Sequence, residues 1–212
     1  MAVIDIRKGE WAQLLVALLT CFGIITAHTM SETARDALFL THLPASYLPL
    51  AYLGIGAASF ALGRLSAFFV ERFGQRTGLV VIIALGAIMA MVFRLAFAPH
   101  RNWLFYAYYV WVGTFATTSV VEFWLFTSTI FTVAQGKRLF GLVGSGASLG
   151  TFLGATVAAV WARHLPIESL LVVAAATLAA TAAVPLLLRT PAQTRRAAAK
   201  EAVPVTQLLK QR

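Results

Sequence analysis

WAQLLVALLTCFGIITAHTMSETARDALFL, residues 11–40, begins with twenty residues that carry no formal charge. A helix needs about 20 mostly apolar residues to cross a bilayer, so Trp11 to Met30 has the length of one membrane span. The apolar pattern resumes at residues 37–40, and the next strong helix breaker is Pro44. We therefore expect one long first helix that continues past the apolar run.

Three charged residues fall inside this helix: Glu32, Arg35 and Asp36. On a helix, Glu32 lies one turn from both Arg35 and Asp36, so the arginine is flanked by carboxylates. Ionisable residues inside a membrane segment usually line a polar pathway, and we expect that role here. The alternative is a solvated helix end at the outer surface.

The composition of the whole chain agrees with a membrane protein. Of its 212 residues, 59% are hydrophobic and 12% are charged, and the mean hydropathy is +0.80. Soluble domains usually carry about 25% charged residues. A helix satisfies its backbone hydrogen bonds within one segment in lipid, so an all-α fold with six transmembrane helices is predicted. The predicted spans are Trp11–Met30, Tyr47–Val70, Thr77–Ala98, Trp103–Thr132, Leu139–Ala162 and Ser169–Leu188.

Polar, small and apolar segments alternate with a period of three along the chain. The first and fourth segments are polar, the second and fifth are rich in small residues, and the third and sixth are apolar and suited to face lipid. Many transporters are built from such repeats, so we expect two three-helix repeats. We expect a cytoplasmic N-terminus at 1–10, one bundle at 11–188, and a cytoplasmic linker at 189–212 that leads toward a possible second half.

The net charge of +9 is distributed as in membrane proteins. Twelve Lys and Arg residues lie in the N-terminus, the even-to-odd connections and the tail, against three in the odd-to-even connections. Basic residues concentrate on the cytoplasmic side, so both termini are predicted to be cytoplasmic. This distribution argues against nucleic-acid binding.

Few residues offer enzymatic or metal chemistry. Cys21 is the single cysteine, so no intramolecular disulfide can form, and the four histidines show no metal-ligand spacing. No serine or cysteine nucleophile stands beside a base. We expect neither an enzyme nor a bound cofactor or metal.

Glu122 is a single charge in a run that is otherwise uncharged from Asn102 to Gly136. A carboxylate inside the bilayer is costly unless it is paired or hydrated. We expect Arg35 or Arg64 as its partner, or a protonated side chain. The alternative is a glutamate that extends to the cytoplasmic interface near Lys137.

The fifth segment contains a stripe of small residues, with Gly146, Gly150 and Gly154 at four-residue spacing. Small residues at this spacing let another helix backbone approach closely. The partner helix belongs either to the same bundle or to a second half, including a dimer partner.

The connection FVERFGQRTG, residues 69–78, resembles the cytoplasmic loop signature of major facilitator transporters. The matching positions hold an acidic residue, a basic residue, a glycine and a further basic residue: Glu71, Arg72, Gly74 and Arg76. Ala67 stands where that signature has a leading glycine. The resemblance implies the first half of a major facilitator fold.

A narrower resemblance is to the nucleotide transporters, the ATP/ADP exchangers of plastids and intracellular bacteria, and to their relatives in free-living bacteria. Arg35–Asp36 followed by Leu38 resembles a motif of their first helix. A second block follows the order and spacing of that family, with Phe123–Trp124, Lys137–Arg138, Phe140 and Gly144–Gly150. Thr127–Ser128 replaces the Ala-Asn pair that is usual there.

The resemblance implies half of a secondary transporter for an anionic solute, with nucleotides as one class, in a bacterial cytoplasmic membrane. The expected partners are lipid, the solute, and a second six-helix half from the same polypeptide or from a dimer partner. The predicted pathway residues are Arg35, Asp36, Glu32, Glu122, Tyr109 and Trp124, and Lys137 and Arg138 join the signature loop in a cytoplasmic gate. The alternative function is a transporter-like membrane anchor or sensory module.

Overall fold

A computed structural model describes residues 6–7, 9–97 and 101–188. All regular structure in these residues is helical, and six helices are long and apolar enough to cross a membrane, as predicted. The α-helices are α1 Trp11–His42, α2 Leu48–Phe73, α3 Gln75–Ala96, α4 Asn102–Ile130, α5 Val133–His164 and α6 Leu170–Ala183. The sixth span, Ile167–Leu187, consists of α6 and the 3₁₀ turns on either side of it. The predicted linker at 189–212 and most of 1–10 lie outside the described residues.

The first helix is long, as the sequence indicates, because α1 runs without a break through the three charged residues to His42. The residue before a proline disfavours helical backbone, and Leu43, which precedes Pro44, is extended. α5 ends in the same way at His164–Leu165–Pro166. In both places one turn of 3₁₀ helix follows the proline before the next helix begins.

The bundle has two ends, and successive helices run in opposite directions between them. α2 and α3 are joined by Gly74 alone, whose φ of +86° favours glycine, so the turn between them is tight. We call this the Gly74 end, and the end that holds the first proline connection the Pro44 end. At the Gly74 end, Arg76 of α3 donates a hydrogen bond to the carbonyl oxygen of Leu188, beyond α6.

α1 is the centre of the bundle and packs against α4, α5 and α6. α2 packs mainly on α4 and α3, and α3 also packs on α4 and α6. The prediction that the third and sixth segments face lipid is only partly right. α3 and α6 bury part of their surface against each other, whereas α2 and then α5 are the least buried of the six helices.

The glycine stripe of α5 packs on α1, which identifies its partner as a helix of the same bundle. A Cβ atom added at Gly150 would lie 2.6 Å from the carbonyl oxygen of Phe22. Gly146 and Gly154 approach the carbonyl oxygens of Leu18 and Thr26 in the same way. Each glycine faces the residue 128 positions earlier, so the two helices run parallel in one constant register.

This contact predicts opposite effects of the same substitution at two glycines of α5. Gly150→Ala places a methyl group against a backbone carbonyl and is expected to destabilise the bundle by about 1–3 kcal/mol. Gly144→Ala meets open space and is expected to stabilise it by up to about 1 kcal/mol through helix propensity. Unfolding of the purified protein by SDS, followed by circular dichroism, measures both, and equal stability of the two variants would contradict the assigned contact.

Candidate functional site

Arg35 is the centre of a charged cluster on the Pro44-end half of α1. Its Nε donates to Asp36 Oδ1 at 2.8 Å, and its Nη1 lies 3.6 Å from Glu32 Oε1. The arginine side chain is 12% exposed, whereas those of Glu32 and Asp36 are 43% and 53% exposed. The predicted flanking of the arginine by two carboxylates is therefore present.

Aromatic side chains of α4 and α2 pack on the side of this arginine that faces the bundle. The guanidinium carbon lies 4.4 Å from the ring centre of Tyr109, in cation–π contact. The edge of Tyr52 approaches the same ring, with the hydroxyl oxygens 3.5 Å apart, and Phe39 packs against it. The structure thus brings together Glu32, Arg35, Asp36 and Tyr109 of the predicted pathway residues.

His28 and Tyr52 also belong to this cluster, although the sequence analysis did not predict them as site residues. His28 Nε2 lies 3.3 Å from Glu32 Oε1, one helical turn away, so its spacing could have revealed it. Its buried Nδ1 has no hydrogen-bond partner among the described residues. Tyr52 gave no sequence signal, because only the packing of α2 on α4 places it there.

The cluster presents a cation, 12% exposed, that an incoming anion could contact. A guanidinium carries five N–H donors in a planar fork that suits carboxylate and phosphate groups. Asp36, the closest carboxylate, is the more exposed of the two and is therefore the easier one to displace. An incoming anion could then take its place on Arg35.

Glu122 lies in a different place, and its predicted partners are wrong. The side chain is buried, and Ser66 Oγ donates to its Oε1 at 2.5 Å while Gln75 Nε2 donates to its Oε2 at 2.7 Å. Neither Arg35 nor Arg64 pairs with it, because Arg35 is held on α1 and Arg64 is exposed over the ring of Phe60. Its carboxylate contacts α2 and the first residue of α3, at the Gly74 end of the bundle.

A cavity of about 440 Å³ opens beside this glutamate at the Gly74-end half of α2 and α4. Thirteen residues separate Glu122 from Tyr109 on α4, which is about 20 Å along the helix axis. The arginine cluster and this cavity are therefore separate sites. The polar residues that line the cavity are Ser59, Glu71, Gln75, Thr117, Thr118 and Glu122.

The remaining predicted residues lie at the Gly74 end. Trp124 packs edge-on against Phe140, with ring centres 5.6 Å apart, and does not reach the arginine cluster. Lys137 lines another cavity, of about 510 Å³, together with Phe140 and Thr132. Arg72 lies over the ring of its neighbour Phe73.

Glu10, the residue before α1, is hydrogen-bonded to side chains in the first turns of α5. The sequence analysis did not predict this contact. Arg138 Nη2 donates to Glu10 Oε1 at 2.9 Å and Gln135 Nε2 at 3.1 Å, while the backbone N–H of Arg7 donates to Oε2. Arg138, a predicted gate residue, thus contacts a glutamate of its own bundle. The Arg7 hydrogen bond, with smaller contributions from Gln135 and Arg138, lowers the pKa of Glu10.

Comparison of the chain with protein-family models, curated proteins and solved structures gave no match. The functional inference therefore depends on the chemistry of these sites and on the arrangement of the helices.

The lowered pKa of Glu10 predicts a pH dependence of stability. Because the folded state favours the carboxylate, this contribution is fully present above about pH 4.5 and is lost as the pH falls through the native pKa. Glu10→Gln should remove it, so wild type and variant should converge in stability as the pH is lowered. Melting curves in detergent between about pH 7 and about pH 3 measure this, and a constant difference across that range would contradict it.

Proposed function

We propose that the chain is the N-terminal six-helix half of a secondary transporter of major facilitator type, which moves an anionic solute by alternating access. The observation that carries the proposal is Arg35, a guanidinium that is only 12% exposed inside a membrane-spanning helix and is paired with two more exposed carboxylates. Ionisable groups are retained inside membrane segments mainly where they serve a pathway.

The helix contacts support an arrangement of two three-helix repeats, α1–α3 and α4–α6. If the repeats are exchanged, the α1–α5 contact becomes α4–α2, and α1–α6 becomes α4–α3. Both members of each pair occur, and the contacts α1–α4 and α3–α6 map onto themselves. Of the extensive contacts between the six helices described, α2–α3 is the one without a counterpart.

The exposure of α2 and α5 supports a second half. These two helices occupy equivalent positions in the proposed repeats and are the least buried of the six. A second six-helix unit, from the same polypeptide or from a dimer partner, could cover them and close a central pathway between the halves. The glycine stripe of α5 does not serve this interface, since α1 already covers it.

In this proposal Arg35 binds the negative group of the solute in exchange for Asp36. Phosphate suits the planar fork of arginine especially well, which favours a phosphate-bearing solute such as a nucleotide. Tyr109 would hold the guanidinium in place during the exchange. The two halves would rock around this site, and the second half would supply the further basic groups that a nucleotide needs.

Transport measurements on Arg35 variants test this proposal. Arg35→Ala should abolish uptake of the transported anion into proteoliposomes that contain the full-length protein, and Arg35→Lys should retain part of it, because the charge remains without the fork. Labelled ATP, inorganic phosphate and succinate serve as the first solutes. Arg163→Ala, an exposed arginine in the last turn of α5, is the matched control.

Correct insertion of each variant is checked by its yield in the membrane and its elution as a single species in detergent. Uptake of any solute that is unchanged in Arg35→Ala would contradict the role of Arg35. Absence of uptake for every anion would favour the anchor or sensory function.

The distribution of basic residues supports a cytoplasmic Gly74 end, with both termini on that side of the membrane. Single cysteines test this orientation in intact cells, since Cys21 is buried and should not react. Ser46→Cys, in the exposed connection between α1 and α2, should be labelled by a membrane-impermeant maleimide. Arg72→Cys should be labelled only after permeabilisation, and the reverse pattern would overturn the orientation.

A further inference from the structure

The charged cluster on α1 contains one side chain of the type that changes its charge near neutral pH, His28. His28 Nε2 lies 3.3 Å from Glu32 Oε1, and the same oxygen lies 3.6 Å from Arg35 Nη1. Glu32 is therefore shared between the histidine and the arginine. All three residues lie on one face of α1, so this contact does not depend on the packing of another helix.

The cluster as a whole is negative while His28 is neutral. Glu32 and Asp36 carry two negative charges, and Arg35 carries one positive charge. A bound monoanion would increase this imbalance inside a membrane-spanning helix, where uncompensated charge is costly. A proton on His28 removes the problem, because the cluster with a proton and a monoanion has the same net charge as the empty cluster.

The ring of His28 has a free position for this proton. When the neutral ring donates its Nε2–H to Glu32, the lone pair is on Nδ1, which is buried and has no hydrogen-bond partner among the described residues. A proton bound there breaks no existing contact. A proton on Glu32 or Asp36 would instead remove a negative charge that faces Arg35. Water can reach the pair beside Glu32, whose side chain is 43% exposed.

The helices packed on α1 bring few other titratable groups near His28 in the part of the chain that the structure describes. On α4, Tyr108 donates to a backbone carbonyl of α1, Tyr109 lies against Arg35, and Glu122 is held by α2 and α3. α6 carries no charged side chain. The charged or titratable side chains of α5 lie in its first two turns and its last turn: Lys137, Arg138, Arg163 and His164.

We propose that His28 binds a proton each time Arg35 binds an anion, so that the solute crosses the membrane together with a proton. Protonated His28 would hold Glu32 as an ion pair, and Arg35 Nη1 would become free for the anion. The proton comes from water on one side of the membrane and is released to water on the other. Glu32 would then return to Arg35 and displace the anion. This inference rests on the proposed function and names its coupling ion.

Accumulation of solute against its own concentration gradient tests this coupling. Proteoliposomes that contain the full-length protein receive labelled ATP, inorganic phosphate or succinate at a fixed external pH, and K⁺ with valinomycin holds the membrane potential at zero. With an interior about one pH unit more alkaline, wild type should accumulate the solute up to about tenfold, because one proton per anion transmits a tenfold ratio. Without a pH difference, the solute should only equilibrate.

Substitutions of His28 separate the proton from the anion. His28→Gln should take up the solute slowly and accumulate none, because its charge no longer changes. His28→Lys has a permanent positive charge, so it should restore part of the uptake rate without accumulation, and it keeps the test valid if His28→Gln loses all uptake. His164→Gln, at an exposed histidine in the last turn of α5, is the matched control and should accumulate solute like wild type.

The outcomes distinguish this inference from the proposed function. Uptake by wild type that does not respond to the pH difference would overturn the proton coupling and leave the proposed function standing. Accumulation that persists in His28→Gln or His28→Lys would overturn the role of His28. Absence of uptake for every anion would overturn the proposed function and the coupling together.

Discussion

The parallel contact of α5 with α1 is the constraint on which the rest of the bundle depends. Three glycines let the two backbones approach until carbonyl oxygens of α1 occupy the space of absent side chains. This approach covers one face of α1 and leaves its other faces to α4 and α6. α4 packs on a face of α1 that this contact leaves free, and it carries Tyr109 to Arg35.

The two polar sites differ in how a charged side chain is stabilised inside the bundle. On α1, a cation is neutralised by carboxylates of its own helix, one and three residues away, and therefore needs no opposite charge from another helix. On α4, the carboxylate depends on neutral donors from two other helices. The first arrangement can form as soon as α1 is helical. The second exists only when α2, α3 and α4 are packed together.

This difference explains what the sequence could predict. The long apolar runs predict six helices, and helical spacing predicts the neighbours of Arg35, because both are local properties of one segment. The partners of Glu122 are 56 and 47 residues away and are neutral, so a search for opposite charges pointed to the wrong residues. Tyr52 and Glu10 were missed because their partners also lie far away in the sequence. The glycine stripe revealed a close contact, but only the three-dimensional structure identifies α1 as its partner.

α1 and α5 each contain 32 residues, which makes them about 48 Å long, whereas the hydrocarbon core of a bilayer is about 30 Å thick. Helices of excess length tilt or extend beyond the core. Because these two are parallel and interlocked at three glycines, they must tilt as one body. A change in bilayer thickness would therefore change the tilt of both helices together. It would move the Arg35 end of α1 and the His164 end of α5 in the same direction.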